Sequence, residues 1–338
     1  MLASAALQSK KKIAPGCKIA AMFASVIGIL FPVFAMLALG VFLKKSRLLS
    51  DAFAKDLNAL MFHGALPCML VDSISCAEPA GGARETALAL ALATLATFAA
   101  AWIFAVPCGI SRAARPTFCQ TAFRSNNAYV GIPVLALALS GRPGGEAGLA
   151  VATLALAPCI LLYNVLGVLV LVRPSAGGSA LRRSVRSAAA LLRNPLILAC
   201  IAGMALLGLR ISAGVALPSP VAETIRLFGK MATPGSLIAL GASIDAARIR
   251  GAFHGACVTA AFKLALCPLF GAAVCAALGL DPMQRFIVVT YLCCPSAVAS
   301  FVMAEAMGGD SGLAGASVAF TTILSAVSLS LGILLFLP

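Results

Sequence analysis

Long apolar stretches, separated by short polar or basic segments, make up most of this chain. A helix needs about 20 residues to cross the roughly 30 Å hydrocarbon core of a bilayer. Ten stretches reach this length, and they lie near residues 23–43, 57–76, 86–110, 117–140, 147–172, 195–215, 224–247, 252–279, 285–306 and 312–337. The pattern predicts an all-α integral membrane protein with ten transmembrane helices.

Prolines in the first half of the chain recur in the second half at a nearly constant offset. Pro32, Pro67, Pro107 and Pro133 correspond to Pro195, Pro234, Pro268 and Pro295, at offsets of 163, 167, 161 and 162 residues. Each lies inside or beside an apolar stretch, so the chain divides into two repeats, 22–172 and 195–338. Because each repeat has an odd number of spans, five, we expect the second to be inverted relative to the first.

The basic residues of the loops predict an orientation, since cytoplasmic loops carry an excess of lysine and arginine. With the N-terminus outside, thirteen would be cytoplasmic: Lys44, Lys45, Arg47, Lys55, Arg112, Arg115, Arg173, Arg182, Arg183, Arg186, Arg193, Arg248 and Arg250. Six would be outside: Arg84, Arg142, Arg210, Arg226, Lys230 and Arg285. We therefore expect a multi-pass protein of the cell membrane (plasma or inner membrane), with residues 173–194 as a basic cytoplasmic linker.

The first 21 residues do not fit this orientation. They carry Lys10, Lys11, Lys12 and Lys18 on the side predicted to be outside. We interpret residues 1–21 as an N-terminal extension and Met22 as the native start. A signal peptide is the alternative, but the apolar run continues for a full span to Lys44 without a convincing cleavage site.

Composition supports the membrane assignment, because 61% hydrophobic and 11% charged residues with a mean hydropathy of +1.03 leave little polar surface. The net charge of +14 is spread over loops, which favours anionic membrane lipids as partners and argues against nucleic acid. The twelve cysteines form no CxxC pair, and only His63 and His254 could assist them. We expect no disulfide, metal or cofactor. No nucleophile and base converge, so we expect no enzyme.

Two segments carry the candidate chemistry. FRSNNAYVGIPVL, residues 123–135, puts amides, a tyrosine, a glycine and a proline into the fourth span, and Pro295 interrupts the ninth. Backbone groups freed by a helix break cannot stay bare in lipid, and helix N-termini suit a carboxylate. We therefore predict broken, crossing fourth and ninth helices. The candidate substrate-binding residues are Asn126, Asn127, Tyr129, Gly131, Pro133, Cys294, Pro295 and Ser296.

The chain resembles the auxin efflux carrier family, which includes plant PIN proteins and bacterial malate and malonate permeases. The most specific match is the fourth-span pattern of Asn126, Asn127, Tyr129, Gly131 and Pro133. Supporting matches are LFPVFAMLALGVFLKKSRLL in the first span, HGALP in the second and AEAMGGD after the ninth-span proline. The resemblance implies ten helices in two inverted repeats and export or exchange of small organic anions. The long central loop of the plant members is missing, and auxin is unsupported as a substrate.

Two basic residues lie within predicted spans. Lys263 could face an anionic substrate or carry a coupling proton, or its long side chain could reach the membrane surface. Arg124 could guide anions or anchor the span at the interface. For Asn126 and Asn127, the alternative to substrate contact is an interhelical hydrogen bond.

These features predict a secondary transporter, a permease for malate, malonate or other carboxylates that works by alternating access. A membrane receptor or scaffold that binds a carboxylate without transporting it is the alternative. No nucleotide-binding motif is present. The coupling ion, the transport direction and the choice between monomer and homodimer stay open.

Overall fold

A computed structural model describes residues 15–76, 81–172, 193–242 and 246–338, and every regular element in these ranges is a helix. The first half contains α1 (Pro15–Lys45), α2 (Asp51–Ser75), α3 (Ala83–Phe104), α4 (Arg115–Phe123), α5 (Asn127–Leu139) and α6 (Gly145–Leu171). The second half contains α7 (Pro195–Ala213), α8 (Ser219–Lys230), α9 (Ala232–Ala242), α10 (Ala246–Ala261, continued by Phe262–Leu266 and Cys267–Ala277), α11 (Pro282–Cys293), α12 (Val298–Ala306) and α13 (Ser311–Phe336).

Six helices in the described ranges are long and apolar enough to cross a membrane, namely α2, α3, α6, α7, α10 and α13. The other four predicted spans correspond to α1 and to three pairs of shorter helices, α4 with α5, α8 with α9, and α11 with α12. Ten crossings in two inverted repeats therefore stay a prediction. Most of the predicted cytoplasmic linker and of the N-terminal extension lies outside the described residues.

Side-chain caps determine where several helices begin. Ser50 accepts a hydrogen bond from the backbone of Phe53 at the start of α2, and Asn194 and Asp310 cap α7 and α13 in the same way. Asp281 and Gln284 form a reciprocal capping box at the start of α11. Such caps satisfy backbone N–H groups that have no partner within the helix.

Three of the prolines follow a wide π turn in their helix. The turns at Met61–Ala65, Asn127–Gly131 and Phe262–Leu266 each end two residues before a proline, Pro67, Pro133 and Pro268 respectively. Proline lacks an N–H, and its ring clashes with a carbonyl of the preceding turn. A π turn moves this carbonyl away from the ring. The helix therefore continues through each of these prolines.

The helices pack as two groups. In the first group, α1 packs on α9, and α2 packs on α7 and α8. In the second group, α3 packs on α4, α6 and α10, while α13 packs on α10, α11 and α12. Glycines allow close backbone contact within the first group, since a Cβ at Gly241 would lie 2.2 Å from the Leu37 carbonyl oxygen.

Two broken segments cross inside the second group. The backbone leaves the helix between α4 and α5 at residues 124–126, and between α11 and α12 at residues 294–297. Ser125 and Ser296 form an isolated antiparallel bridge. Beside it, the Asn126 N–H donates to the Pro295 carbonyl at 2.8 Å and the Ala297 N–H donates to the Arg124 carbonyl at 3.0 Å.

The breaks lie in the two segments for which the sequence predicts them. Only the second break contains the proline that was predicted to cause it. Pro295 lies in the second break, whereas Pro133 follows the first break and lies in the continuous helix α5. Pro133 does not interrupt α5 because the π turn before it removes the clash. The crossing backbones instead satisfy each other's polar groups, as a non-aqueous environment requires.

Candidate functional site

A cavity of about 60 Å³ lies where the crossing faces the first helix group. One wall comes from α2 and α9, and the other comes from α5, α6, α12 and the first break. Its lining residues are Leu66, Met69, Leu70, Arg124, Ser125, Asn126, Asn127, Ala128, Tyr129, Leu156, Ile160, Tyr163, Ala232, Thr233, Ser236, Ala297, Val298 and Ala299. The cavity therefore lies between the two helix groups.

The N-terminal ends of α5 and α12 both line this cavity. Asn126 to Tyr129 form the start of α5, and Ala297 to Ala299 form the start of α12. Neither N-cap residue makes a side-chain capping hydrogen bond. The first N–H groups of a helix have no partner within it and carry partial positive charge, which favours an anion.

Asn127 is the buried polar side chain that most directly indicates a ligand. It is 2% exposed, and neither its Nδ2 nor its Oδ1 atom has a hydrogen-bond partner among the described residues. An unsatisfied buried amide costs roughly 1–3 kcal/mol. A bound molecule that accepts a hydrogen bond from Nδ2 would remove part of this cost.

Arg124 also lines this cavity, and its guanidinium lies beside the cavity against Asn164 and Met303, which are not lining residues. Its side chain is buried, with Nη2 donating to Asn164 Oδ1 at 2.9 Å and Nη1 lying 2.7 Å from the sulfur of Met303. No acidic side chain pairs with this guanidinium in the described part of the chain. A buried cation that lacks an anionic partner is costly, so an anionic ligand would stabilise it.

A comparison with protein families identifies the family of this chain. Residues 25–333 match the model of a family described as membrane transport protein, the auxin efflux carrier-like transporters. The chain belongs to this family. A search of curated proteins found no match. The protein is thus a multi-pass secondary membrane transporter, and a family of transporters fits the prediction that it is not an enzyme.

In this transporter, four of the predicted site residues line the cavity: Arg124, Asn126, Asn127 and Tyr129. The Tyr129 hydroxyl lies 2.8 Å from the sulfur of Met69, so it links α5 to α2 across the cavity. The backbone N–H of Asn126 bonds to the Pro295 carbonyl in the crossing. Asn126 also lies on the cavity wall, because it directly precedes α5.

Five predicted residues instead build the crossing without lining the cavity. A Cβ at Gly131 would lie 2.7 Å from Cδ1 of Tyr291, so this glycine permits close packing of α5 on α11. Pro133 lies in α5, Pro295 contributes its carbonyl, and the Cys294 thiol donates to the Thr290 carbonyl at 3.4 Å. Ser296 Oγ donates to the Thr121 carbonyl at 2.6 Å.

Lys263 is buried away from the cavity. Its Nζ atom donates to the Leu292 carbonyl at 2.7 Å, inside the second helix group. The ammonium therefore bonds to the protein interior and does not reach the membrane surface.

Sequence reasoning missed the polar residues that the other helices bring to the cavity. Thr233 and Ser236 of α9 line it, as does Tyr163 of α6. One signal was present in the sequence: Thr233 and Ser236 flank Pro234, which the repeat pattern had already singled out. Which face of α9 turns toward the crossing depends on packing, so periodicity alone could not assign them.

A second cavity of about 590 Å³ lies near the ends of α3, α10 and α12. Its lining includes Gly109, His254 and Asp310, and it contains none of the predicted site residues. The described residues contain no group of three or more His, Cys, Asp or Glu side chains that could hold a metal ion.

Proposed function

We propose that this transporter carries small organic anions such as malate, malonate or other carboxylates, and that it binds them in the cavity at the crossing. The observation that carries the proposal is the set of groups around one small space, namely two helix N-termini and the Asn127 amide, with the Arg124 guanidinium buried beside it. No acidic residue is among the described residues that line it. These groups all favour an anion over a cation or a neutral apolar solute.

Each part of a carboxylate has a suitable partner in this arrangement. The Asn127 amide can donate one hydrogen bond without the desolvation cost of a second buried charge. The free N–H groups at the starts of α5 and α12 can donate others, and Arg124 supplies the compensating charge. The apolar residues Leu66, Leu70 and Leu156 leave a short carbon chain in contact with hydrophobic surface.

The position of the cavity between the two helix groups supports alternating access. If the second group moves relative to the first, α5 and α12 move with the ligand while α2 and α9 stay behind. The two access states would then differ at the wall formed by Met69, Thr233 and Ser236. Motion of one bundle against another around a fixed site is the general mode of carriers built from repeats.

The experiment that tests this function is counterflow in sealed vesicles that contain the purified protein. Vesicles are loaded with one unlabelled carboxylate, and uptake of labelled malate, malonate, other short carboxylates and indole acids is followed. We expect transient accumulation of at least one carboxylate. A receptor or scaffold would bind a carboxylate without accumulation, and that result would contradict the proposal.

We propose further that the chain crosses the plasma or inner membrane ten times, with its N-terminus outside and two inverted five-helix repeats. In a background that lacks the native cysteines, Ala180→Cys should resist an impermeant thiol reagent added to intact cells. Gly144→Cys, in the predicted loop between the fourth and fifth spans, should react. Labelling of both residues from outside would contradict the inverted arrangement.

A further inference from the structure

A buried lysine lies on the end of one of the crossing helices. Lys263 is 0% exposed, and its Nζ atom lies 2.7 Å from the Leu292 carbonyl oxygen and 3.9 Å from the Cys267 sulfur. No carboxylate pairs with it among the residues that the structure describes. The ammonium is therefore held by a backbone carbonyl and not by an ion pair.

The Leu292 carbonyl belongs to the C-terminal end of α11, which ends at Cys293. The last carbonyls of a helix have no partner within it and carry partial negative charge. The neighbouring Cys293 carbonyl accepts a hydrogen bond from Ser328 Oγ at 2.8 Å. Thr290, two residues before Leu292, has a buried hydroxyl without a partner in the described ranges. Oxygen atoms of these kinds at a half-helix C-terminus are ligands for small cations such as Na⁺.

The corresponding end of α4 is built differently. There the Thr121 carbonyl accepts from the Ser296 hydroxyl, and the Arg124 carbonyl accepts from the Ala297 N–H. Arg124 directs its guanidinium toward Asn164 and Met303, and not toward the carbonyls of α4. A cation contacts the Leu292 carbonyl of α11, whereas neutral donors satisfy the Thr121 and Arg124 carbonyls at the end of α4.

We propose that Lys263 acts as a built-in cation at the C-terminal end of α11, in the place where a soluble coupling cation would otherwise bind. The ammonium is tethered, so it stays in place through every transport cycle. This deepens the proposed function and rests on it in one respect: anion transport by the parent protein should not require Na⁺ or K⁺. The local role of Lys263 can be tested without any transport measurement.

The substitutions Lys263→Ala and Lys263→Met separate the charge from the space that it occupies. Lys263→Ala removes the ammonium and leaves a cavity beside the Leu292 carbonyl, whereas Lys263→Met fills this cavity with an uncharged chain of similar length. Thermal unfolding of the purified proteins is followed in choline, Na⁺, K⁺ or ethylammonium chloride at equal ionic strength.

For the parent, we expect a Tm that does not depend on the cation. For Lys263→Ala, we expect a Tm in choline that is lower by roughly 5 °C or more. This Tm should rise in a saturable way with Na⁺ or ethylammonium. Lys263→Met should also be less stable than the parent, without any response to the cation.

Two results would overturn the proposal: a Lys263→Met protein as stable as the parent, or a Lys263→Ala protein that no small cation stabilises. If Lys263→Ala does not fold, Lys263→Gln tests the same point, because it keeps a hydrogen-bond donor and removes the charge. A Lys263→Gln protein with the stability of the parent would show that a neutral hydrogen bond suffices, and would reject the built-in cation.

Counterflow by the parent provides the second arm. Replacing Na⁺ and K⁺ by choline should leave the initial rate within about twofold, and an absolute requirement for Na⁺ would contradict the proposal. Failure to transport any carboxylate would reject the proposed function. The unfolding measurements would still decide whether Lys263 acts as a built-in cation.

Discussion

The two broken segments have the same backbone plan and use their polar groups in different ways. In the first segment, between α4 and α5, the Asn127 amide has no partner among the described residues and Arg124 has no counterion there. In the second, between α11 and α12, Ser296, Cys294 and the carbonyls of Leu292 and Cys293 all have partners within the protein. The hydroxyls of Thr290 and Ser300 have no partner among the described residues, but both residues flank this break and neither lines the cavity.

This difference indicates a division of roles between the two segments. Polar groups that are satisfied internally stabilise one conformation, whereas unsatisfied buried groups are costly and suggest a ligand. The first segment is thus the candidate for anion recognition. The second segment is the candidate for a structural role, because it positions the start of α12 at the cavity and stabilises the crossing.

Arg124 should give the largest effect on binding. Removal of one partner from a buried ion pair costs about 3–5 kcal/mol, so Arg124→Gln should weaken anion binding by more than roughly 100-fold. The protein without ligand should lose at most about 1–3 kcal/mol of stability, because Asn164 Oδ1 loses its donor while an uncompensated buried charge is removed. Binding of the best carboxylate from the counterflow screen, measured by calorimetry, tests this.

Arg142→Gln is the matched control for Arg124→Gln. Arg142 is exposed, donates to the carbonyl of Pro338 and does not line the cavity. Its substitution should leave the affinity within about twofold. Equal affinities of the Arg124 variant and the parent would remove Arg124 from the anion site.

Asn127→Ala should have the next largest effect. A hydrogen bond to a charged acceptor contributes on the order of 1.5–3 kcal/mol, so the affinity should fall roughly tenfold to hundredfold. Asn58→Ala removes another buried amide, one that donates to the Val302 carbonyl and does not line the cavity. If the two variants lose affinity equally in the same binding assay, Asn127 has no specific role.

Ser296→Ala should have the smallest effect on binding and a clear effect on stability. It leaves the Thr121 carbonyl without its hydroxyl donor, at a cost of about 1–3 kcal/mol, while the cavity keeps its lining. Ser300→Ala is the control, because the Ser300 hydroxyl is buried without a partner in the described ranges. Denaturant unfolding should show a lower free energy of unfolding for Ser296→Ala than for Ser300→Ala. A large loss of affinity in Ser296→Ala would contradict the structural role of the second segment.

The sequence predicted the helical class and the two places where helices break. Apolar stretches of membrane-crossing length indicated the helical class, and the polar run with Gly131 and Pro133, together with the repeat-matched Pro295, indicated the two breaks. The role of Pro133 could not be predicted, because whether a proline ends a helix depends on whether the chain can form a π turn before it.

The cavity was harder to predict than the helices. Asn126, Asn127, Tyr129 and Arg124 line it, whereas Gly131, Pro133, Cys294, Pro295 and Ser296 serve the crossing. Sequence places all of these residues near the same two breaks. It does not determine which of them turn toward α2 and α9, because that depends on how the two helix groups pack.

Asn127→Asp tests most directly whether the unsatisfied amide of Asn127 contacts the bound anion. At neutral pH the new carboxylate would face a negative ligand, so binding should be weaker than in Asn127→Ala. It should recover only as the pH falls far enough to protonate residue 127. Equilibrium binding is measured across pH for the parent, Asn127→Asp and the control Asn58→Asp, after size-exclusion chromatography shows intact folding. We expect a pH-dependent loss of affinity in Asn127→Asp alone, and tight binding by this variant at neutral pH would contradict contact between residue 127 and the anion.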